Sequence, residues 1–580
     1  MEKSQKEKSQ KELKELPGIS VYKNRFLYAL FPCGLFCFIY LFFGPLSLIH
    51  TNSSVLKITI FSATPYYLLA FAAGTLLSSA LLAILRGSLF CGAATMVLWL
   101  SLGSYIQRNM LNPDFGLLIG TAIPWEEYTG RTLLNLAFWG ALLLLLFLLK
   151  NALKAKWEKV LRIVSVIVVL MQTTALVTFY FASDGTEDEV DYALSTDGVA
   201  LVSENENIIV FILDATSNNA LNKTLAVYPD ALSLLNDFTY YNNCAPTFYG
   251  TYPEMISIFT GNGSYDTNAS YLDFERVSWS SSPAAEFYAL LKSRAYVTSF
   301  YTDPRVLSQT LSNIEGKIDN TTAPEAFLGI QPLKMYEKLG VLTCYEYFPL
   351  GLKASFYKST GEFDDLIANS DGSTIWSLDG EALSSKLFET GLSASESNQM
   401  KVYHFEGAHS PYILSDTGLP SEDSTSLEEQ VMGCFVIIGE YISQLKEIGA
   451  YDSSTIIITA DHGDYTYNGS HDSNSAILFV KLRNETHEEL QVSEAPVTHL
   501  ELLPTIAADA GLDGDYDFGA VLADFSEGEP RERILHKWEN TLGGPNQYDA
   551  FYVFRYSSHI RELNDLTEPD EILPLYDCFY

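Results

Sequence analysis

Five long apolar runs constrain the fold of this chain more than any other feature of its sequence. They lie at residues 26–49, 65–85, 88–106, 132–149 and 163–182. Each is close to the roughly 20 residues that an α-helix needs to cross a bilayer. The first run follows a basic segment and is too long for a cleaved signal peptide, so we interpret it as an uncleaved anchor. The sequence therefore predicts a five-span membrane domain over residues 1–183.

Basic residues around these runs predict their orientation. With the N-terminus in the cytoplasm, 13 Lys and Arg lie in cytoplasmic segments and 3, namely Lys57, Arg108 and Arg131, lie in outer loops. This asymmetry obeys the positive-inside bias of membrane proteins. Five crossings from an inside start deliver residue 184 onward to the outer face. We therefore expect a multi-pass cell-membrane protein with an extracytoplasmic C-terminal part.

One outer loop, residues 107–130, carries a cluster of aromatic and acidic side chains. They are Trp125, Glu126, Glu127 and Tyr128. This cluster is compatible with a lipid head-group site, but aromatic side chains at the membrane surface also form an interfacial belt, which is the interpretation we favour.

The net charge of −35 is divided unevenly between the two parts of the chain. Residues 1–183 hold 16 Lys and Arg against 8 Asp and Glu, whereas residues 184–580 hold 20 against 63. Nucleic-acid backbones are held by Lys and Arg, so this acidic composition argues against nucleic acid as a partner. The C-terminal part is also too long and too rich in aromatic residues to be disordered.

After an acidic linker at 184–200, the pattern changes to that of an α/β domain over 201–511. Continuous apolar runs rich in β-branched residues at 207–213, 296–301, 401–405 and 455–459 predict strands buried on both faces. Helical stretches such as 283–293 and 426–448 lie between them, which predicts a mostly parallel central sheet. Residues 512–580 lose this alternation, and we expect a smaller C-terminal subdomain there.

Acidic and imidazole side chains follow the predicted strands. Asp214 ends the first, and Asp461 and His462 follow the fourth. In open α/β sheets ligands bind at the carboxyl ends of strands, so we expect these residues to meet. Further chemistry-bearing residues lie nearby in the sequence: His404, Glu406, His409 and His471. Such a set suits Zn²⁺ or Mn²⁺, and a site made by Asp214, Asp461 and His462 keeps an open position for catalysis.

Thr251 is a candidate nucleophile for that open position. It precedes Tyr252 and Pro253 at the start of a predicted helix, where a hydroxyl faces backbone N–H groups and the positive end of the helix dipole. A neighbouring metal ion would lower the pKa of the hydroxyl. Taken alone, Thr-Tyr-Pro is also an ordinary turn and helix start.

The order of these motifs resembles the alkaline phosphatase superfamily. The strand ending at Asp214 is followed by TYPEMISIFTG at Thr251, HFEGAHSPY at His404 and TADHGD around Asp461. The Thr-aromatic-Pro segment is similar to the nucleophile segment of nucleotide phosphodiesterases and, position by position, to that of sulfatases. The stretches LLKSRAYVTSFYT, SAILFVK and PVTHLELLPTIAADAGL are also sulfatase-like. The resemblance spans about 207–511.

Five spans before such a domain further resemble the lipoteichoic acid synthases and the lipid A phosphoethanolamine transferases. This resemblance implies that Asp214, Asp461 and His462 bind one Zn²⁺ or Mn²⁺, and that Thr251 is both ligand and nucleophile. It implies transfer of a phospho-head group, glycerol phosphate or phosphoethanolamine, from a membrane phospholipid donor to a cell-envelope acceptor through a phosphothreonine intermediate.

The same resemblance implies roles for the remaining polar residues. His404, Gly407 and His409 match a histidine segment of the phosphoethanolamine transferases. With His471, these histidines would stabilise phosphate charge, deliver protons, or bind a second metal ion together with Glu406.

The chain also departs from these families. Asp214 stands where both transferase groups have Glu, and Thr247 and Thr216 remain rival nucleophiles. Thr251 cannot form the aldehyde of sulfatases, and Met255 replaces their Arg, so hydrolysis of sulfate esters is disfavoured. The alternative function is a membrane-tethered phosphodiesterase or phosphatase that uses water as the acceptor.

Overall fold

A computed structural model gives the fold of the chain. It describes residues 21–52, 56, 58–113, 123, 125–182, 190, 192–322, 329–357, 366–368, 376, 378–421, 425–463, 474–512, 516–539, 550–562 and 569–575. The chain divides into two units, which are residues 1–188 with 329–368, and residues 189–328 with 369–580.

The helices and strands are numbered in chain order within the described residues. The N-terminal helices are α1 (Tyr22–Phe38), α2 (Gly44–Thr51), α3 (Ile60–Ile84), α4 (Gly87–Ile106), α5 (Thr129–Leu153) and α6 (Trp157–Ala182). The next elements are β1 (Ala193–Leu194), β2 (Leu201–Ser203), β3 (Asn207–Leu213), α7 (Asn218–Val227), β4 (Thr239–Tyr241), α8 (Thr251–Thr260), α9 (Tyr271–Trp279), α10 (Ser282–Ser293) and β5 (Tyr296–Tyr301).

The middle of the chain contains α11 (Leu311–Ile314), β6 (Thr321–Thr322), β7 (Gly329–Ile330), α12 (Pro332–Tyr347), β8 (Ile367–Ala368), α13 (Glu381–Glu389), β9 (Ser393–Ser395), β10 (Asn398–Phe405), α14 (Leu427–Ile448) and β11 (Ser454–Thr459). The last elements are β12 (Leu478–Lys481), β13 (Gln491–Ser493), α15 (Leu502–Asp509), β14 (Arg533–Glu539), β15 (Ala550–Tyr556) and β16 (Glu571–Pro574).

Five helical segments of the first unit have the length and composition of membrane spans. Within the described residues they are Tyr22–Thr51, Ile60–Ile84, Gly87–Leu111, Trp125–Leu153 and Trp157–Tyr180. The first joins α1 to α2 through a π-helical turn at Ile39–Phe43. Their mean hydropathies of 1.6 to 2.3 fit the apolar interior of a bilayer. The predicted five spans are confirmed, as expected of a multi-pass membrane protein.

Residues 329–368 lie in the middle of the α/β sequence but belong to the unit of the membrane helices. The short strands β7 and β8 pair antiparallel at the two ends of this segment, and α12 packs against α2. Tyr336 donates a hydrogen bond to the carbonyl of Tyr66 (2.7 Å), and the backbone N–H of Leu350 donates to Asn135 (3.0 Å). Nothing in the sequence pattern predicted this packing.

The second unit is built around a seven-stranded sheet with the order β13-β4-β12-β11-β3-β10-β5. Strands β11, β3, β10 and β5 run parallel, whereas β12 is antiparallel to both of its neighbours. The predicted mostly parallel sheet is therefore confirmed. Leu213 of β3 pairs with Phe405 of β10, and Ile212 pairs with Thr459 of β11. This register brings the carboxyl ends of three strands to one edge.

The central strand β3 is buried on both faces, as its continuous apolar run predicts. Ile208, Val210 and Ile212 pack in one hydrophobic cluster, and Ile209, Phe211 and Leu213 pack in the other. Full burial of each such side chain contributes about 1.5–3 kcal/mol, so the centre of the sheet is a firm support for the loops at its edge.

A smaller antiparallel sheet, β14-β15-β16, lies in the C-terminal region of this unit. Its first strand also pairs with the loop before α8. The backbone N–H of Tyr249 donates to the carbonyl of His536 (2.7 Å), and that of His536 donates to Thr247 (2.9 Å). The C-terminal sheet therefore holds the loop that leads into the predicted nucleophile.

Candidate functional site

Asp214 lies directly after β3, where that strand meets its neighbour β10. Its backbone N–H donates to the carbonyl of Phe405 (2.9 Å), and its carbonyl accepts from the backbone N–H of Ala408 (2.8 Å). Its side chain is 7% exposed. The next residue, Ala215, has a positive φ of 54°, a strained value for a residue with a Cβ. The chain therefore turns sharply and leaves the carboxylate at the sheet edge.

Asp461 and His462 follow β11 on the other side of β3. Oδ1 of Asp461 accepts hydrogen bonds from the backbone N–H groups of Ala215 (3.0 Å) and His462 (2.8 Å). The Asp461 carboxylate is thus held against the turn that carries Asp214. Both Asp461 and His462 are fully buried.

The ring of His462 is oriented by its own backbone neighbourhood. Nδ1 lies 2.6 Å from the carbonyl oxygen of Gly463, which can only accept, so Nδ1 carries a proton and donates it. In the neutral imidazole the lone pair is then on Nε2. Nε2 lies 3.2 Å from Oγ1 of Thr251, the first residue of α8. The predicted nucleophile thus contacts a predicted metal ligand.

The polar atoms at this point fit a metal ion. Oδ1 of Asp214, Oδ2 of Asp461 and Nε2 of His404 are buried and have no hydrogen-bond partner. Buried polar atoms rarely lack a hydrogen-bond partner in folded proteins, and a bound ion is one explanation when they do. Asp214, His404 and Asp461 each offer a ligand atom within 4.8 Å of the other two. Carboxylate and imidazole donors suit Zn²⁺ or Mn²⁺, so these residues could hold such an ion.

His404 and His462 both face Asp214. Nε2 of His462 lies 3.7 Å from Oδ1 of Asp214, and Nε2 of His404 lies 3.7 Å from Oδ2. On the far side of its ring, Nδ1 of His404 is 2.9 Å from the hydroxyl of Thr302, just after β5. His404 was predicted for a second metal or a phosphate, whereas the structure places it with Asp214 and Asp461 in one group.

The charges of this edge shift the pKa values of the groups in it. Burial raises the pKa of Asp214, but the opposing effect of His409, His404 and His462 is larger and lowers the pKa to about 2. Burial lowers the pKa of His404, whereas the Asp214 carboxylate raises it above its ordinary value. Asp214 is therefore an anion at neutral pH, which a cation-binding role requires.

His409 and Glu406 lie in the loop after β10. Nδ1 of His409 is 3.6 Å from Oε1 of Glu406, and His409 is partly exposed. Burial lowers the pKa of His409, but the carboxylates of Asp214 and Glu406 raise it to about 10. Nε2 of Gln430 donates to the carbonyls of Gly407 (3.0 Å) and His409 (2.8 Å) and fixes this loop.

The rival threonines have different surroundings. The hydroxyl of Thr216 donates to the carbonyl of Asp214 (3.2 Å) and accepts from the backbone N–H of Ala408 (3.0 Å), so it braces the loop. The hydroxyl of Thr247 is buried and has no hydrogen-bond partner. Of these three described threonines, Thr251 is the one that contacts His462.

Some predicted residues fall outside these contacts, and one pair was missed. His471 lies outside the described residues. The pair Glu254 and His499, buried behind Thr251, was not singled out in the sequence, and no local pattern joins residues so far apart in the chain. The cysteines of the described residues, Cys33, Cys37, Cys91, Cys244, Cys344 and Cys434, are all free.

No protein-family model matches the sequence, and a search of curated proteins gives no match. Several solved structures are similar to the chain. The lipoteichoic acid synthase LtaP from Listeria monocytogenes is 14% identical, with a TM-score of 0.33, and the match covers 66% of this chain and 94% of that one. A phosphonate monoester hydrolase from Silicibacter pomeroyi is 16% identical, with a TM-score of 0.33, and the match covers 64% of this chain and 88% of that one.

A protein in the alkaline phosphatase superfamily from Vibrio parahaemolyticus is 12% identical to this chain. Its TM-score is 0.35, and the match covers 66% of this chain and 84% of that one. All three TM-scores lie below 0.5, so these likenesses are distant.

Proposed function

We propose that the chain transfers a phospho-head group from a membrane phospholipid to a cell-envelope acceptor, with Thr251 as the nucleophile. The observation that carries this proposal is the 3.2 Å contact between Oγ1 of Thr251 and Nε2 of His462, at an edge where buried carboxylate oxygens lack partners. A hydroxyl held at a helix N-terminus beside anionic metal ligands is a typical activated nucleophile.

Asp214, Asp461 and His462, with His404 beside them, would hold the metal ion. A divalent ion at this place supplies Lewis acidity, which lowers the pKa of a hydroxyl and neutralises charge on phosphoryl oxygens. The residues themselves fix the geometry. The carbonyl of Gly463 orients His462, and the backbone N–H of Ala215 orients Asp461, as outer partners do in metal sites.

In the first step Oγ1 of Thr251 attacks the phosphorus of the donor and loses its proton to solvent. The bond between phosphorus and the diacylglycerol oxygen breaks, and diacylglycerol leaves with a proton. His409, which is partly exposed and lies 3.6 Å from Glu406, is our candidate donor of that proton. In the second step an acceptor hydroxyl attacks the phosphorus of the phosphothreonine ester and gives its proton to His409. The bond between phosphorus and Oγ1 of Thr251 breaks, and Oγ1 takes a proton from solvent.

The membrane helices support a lipid donor. Because donor and enzyme share one membrane, the spans raise the effective concentration of the substrate. We propose that the catalytic unit lies outside the cytoplasm, since 13 basic residues flank the spans on the side of the N-terminus against 3 on the other. We propose these domain limits: membrane domain 1–183, linker 184–200, catalytic domain 201–511 and subdomain 512–580. Residues 329–368 lie within the third range but belong to the unit of the membrane helices.

The test is to supply the purified full-length chain, loaded with Zn²⁺ or Mn²⁺, with vesicles of phosphatidylglycerol or phosphatidylethanolamine labelled in the head-group phosphate. We expect diacylglycerol release and, by mass spectrometry, the mass of the phospho-head group on Thr251. Label that moves to a second hydroxyl compound supports transfer, whereas label released only as free head group indicates the hydrolase. Absence of both diacylglycerol and adduct with either lipid would overturn the proposal.

A further inference from the structure

A buried acid and imidazole pair lies directly behind the predicted nucleophile. Nδ1 of His499 is 2.5 Å from Oε1 of Glu254, and both side chains are fully buried. Glu254 lies in the first turn of α8, three residues after Thr251, and so close to it on the helix. His499 comes from a distant part of the chain, just before α15.

The carboxylate of Glu254 also holds the loop that leads into α8. It accepts hydrogen bonds from the backbone N–H groups of Thr247 (3.1 Å) and Phe248 (2.6 Å). One side chain therefore joins the loop before Thr251 to the helix that Thr251 begins. The path of the backbone around Thr251 is fixed at both ends.

The other nitrogen of the His499 ring contacts β11, the strand that precedes two predicted metal ligands, Asp461 and His462. Nε2 of His499 lies 3.1 Å from Oγ1 of Thr459, the last residue of β11. The Thr459 hydroxyl donates its own proton to the carbonyl of Ile477 (2.7 Å). Its oxygen is thus free to accept from Nε2, so both ring nitrogens of His499 act as donors.

The pair therefore connects the helix of Thr251 to the end of β11, two residues before Asp461. We propose that Glu254 and His499 form a positioning device that holds Thr251 in register with Asp461 and His462. The catalytic role of Thr251 in this inference rests on the proposed function. The contacts of Glu254 and His499 that hold the loop and the helix do not depend on that function. Neither residue touches the reacting atoms, so both are positioning residues.

The expected effect is large because reaction rates depend steeply on alignment. A displacement of about 1 Å from a reactive geometry costs about 100-fold in rate. Loss of the pair leaves Asp214, Asp461 and His462 in place, so metal binding should be retained. A positioning role therefore predicts a loss of kcat without a matching change in KM or in metal affinity.

The test compares Glu254→Gln and His499→Gln with a matched control, Glu275→Gln. Glu275 is also a fully buried carboxylate that accepts hydrogen bonds from a loop, through the backbone N–H of Gln309 (2.9 Å) and the hydroxyl of Ser308 (3.1 Å), but it lies in α9. The control therefore reports what loss of a buried carboxylate does by itself to the stability of this unit.

Two measurements are made on the full-length, metal-loaded chains. The first is hydrogen exchange by mass spectrometry over the loop before α8. We expect Glu254→Gln to speed exchange at the amides of Thr247 and Phe248, and Glu275→Gln to leave it unchanged. The second is the rate at which a labelled phospholipid forms an ester on Thr251. We expect a loss of about 100-fold in Glu254→Gln and His499→Gln, with metal affinity within about threefold of the parent.

The double variant Glu254→Gln, His499→Gln should lower the rate of ester formation no more than either single change does, because the two residues act as one unit. Unchanged exchange in Glu254→Gln, a rate loss equal to that of Glu275→Gln, or a parallel loss of metal would overturn the positioning role. If the parent chain forms no ester on Thr251, the proposed function fails, and the exchange measurement by itself decides whether the pair anchors this loop.

Discussion

The hydroxyl of Thr251 and the Nε2 atom of His462 lie 3.2 Å apart, although 211 residues separate them in the chain. The contact depends on three local features. The carbonyl of Gly463 fixes the tautomer of His462, the sheet register places Asp461 and His462 beside Asp214, and the C-terminal sheet holds the loop before α8. A hydroxyl, an imidazole and two carboxylates meet there as a result.

Substitution of Thr251 tests whether it, rather than Thr216 or Thr247, is the nucleophile. We expect Thr251→Ala to lose ester formation by at least about 10³-fold, as removal of a nucleophile does, and Thr251→Ser to keep a measurable rate. Thr247→Val should behave like the parent, because its hydroxyl has no partner to lose. The measurement is the rate of diacylglycerol release from labelled phospholipid. An active Thr251→Ala variant would rule out this threonine.

Removal of a carboxylate should weaken metal binding. We expect Asp214→Asn and Asp461→Asn each to reduce affinity for Zn²⁺ or Mn²⁺ by more than the 10–100-fold that loss of an outer-shell partner costs. Asp319→Asn is the control, since that carboxylate accepts from the backbone N–H of Thr298 (2.7 Å) at β5. Chelator competition with elemental analysis measures the affinities. Equal metal retention in all three variants would contradict the assignment.

Gly407 should tolerate no side chain. Its φ is +55°, and a Cβ there would lie 2.5 Å from the carbonyl oxygen of Asp214. Gly316 has a similar φ of +74° but open space around it, so Gly316→Ala should cost only about 1–2 kcal/mol of backbone strain. We expect Gly407→Ala to lower the melting temperature further and to release metal. Similar melting temperatures and metal contents for the two variants would refute this account.

The pair of His499 and Glu254 predicts a dependence of stability on pH. Burial lowers the pKa of His499, but Cys244 and Glu254 raise it to about 10, against an ordinary value of 6.5. Because the folded state holds this proton more tightly, the stabilisation is complete below about pH 6.5 and is lost as pH rises towards 10. We expect the melting temperature to fall over this window, and to fall less in His499→Gln.

The slope of melting temperature against pH is measured by thermal unfolding of the full-length chain in detergent at pH 6 and at pH 9.5. His487→Gln is the matched control, since His487 is partly exposed and pairs with Glu485 (2.8 Å) outside this region. The control should keep the slope of the parent. The same slope in His499→Gln as in the parent would show that this histidine does not contribute.

Local patterns in the sequence were enough to predict the main elements of the fold. The spans and the strands β3, β5, β10 and β11 follow from runs whose apolar character reports a bilayer or a doubly buried sheet. The rule that ligands bind at the carboxyl ends of strands predicted that Asp214, Asp461 and His462 would meet. The structure brings these residues together, and their roles remain our proposal.

No local sequence pattern predicted the contacts between distant segments. Residues 329–368 have no pattern that assigns them to the membrane helices, yet they pack there. The resemblance to the phosphoethanolamine transferases placed His404 with Glu406 and His409 in a possible second metal or phosphate site, and in the structure its Nε2 atom also lies 3.7 Å from Oδ2 of Asp214. His471, predicted to assist, lies outside the described residues.

The spans, the type of sheet and the chemical types of the candidate residues are all readable from local sequence patterns, because hydrophobic periodicity and strand ends are local properties. In contrast, the contact between Thr251 and His462 and the buried pair behind Thr251 follow from long-range packing. Glu254 and His499 are 245 residues apart, and their contact depends on how α8 and the segment before α15 pack at the end of β11. Such packing depends on the whole core at once, so no single segment of the sequence encodes it.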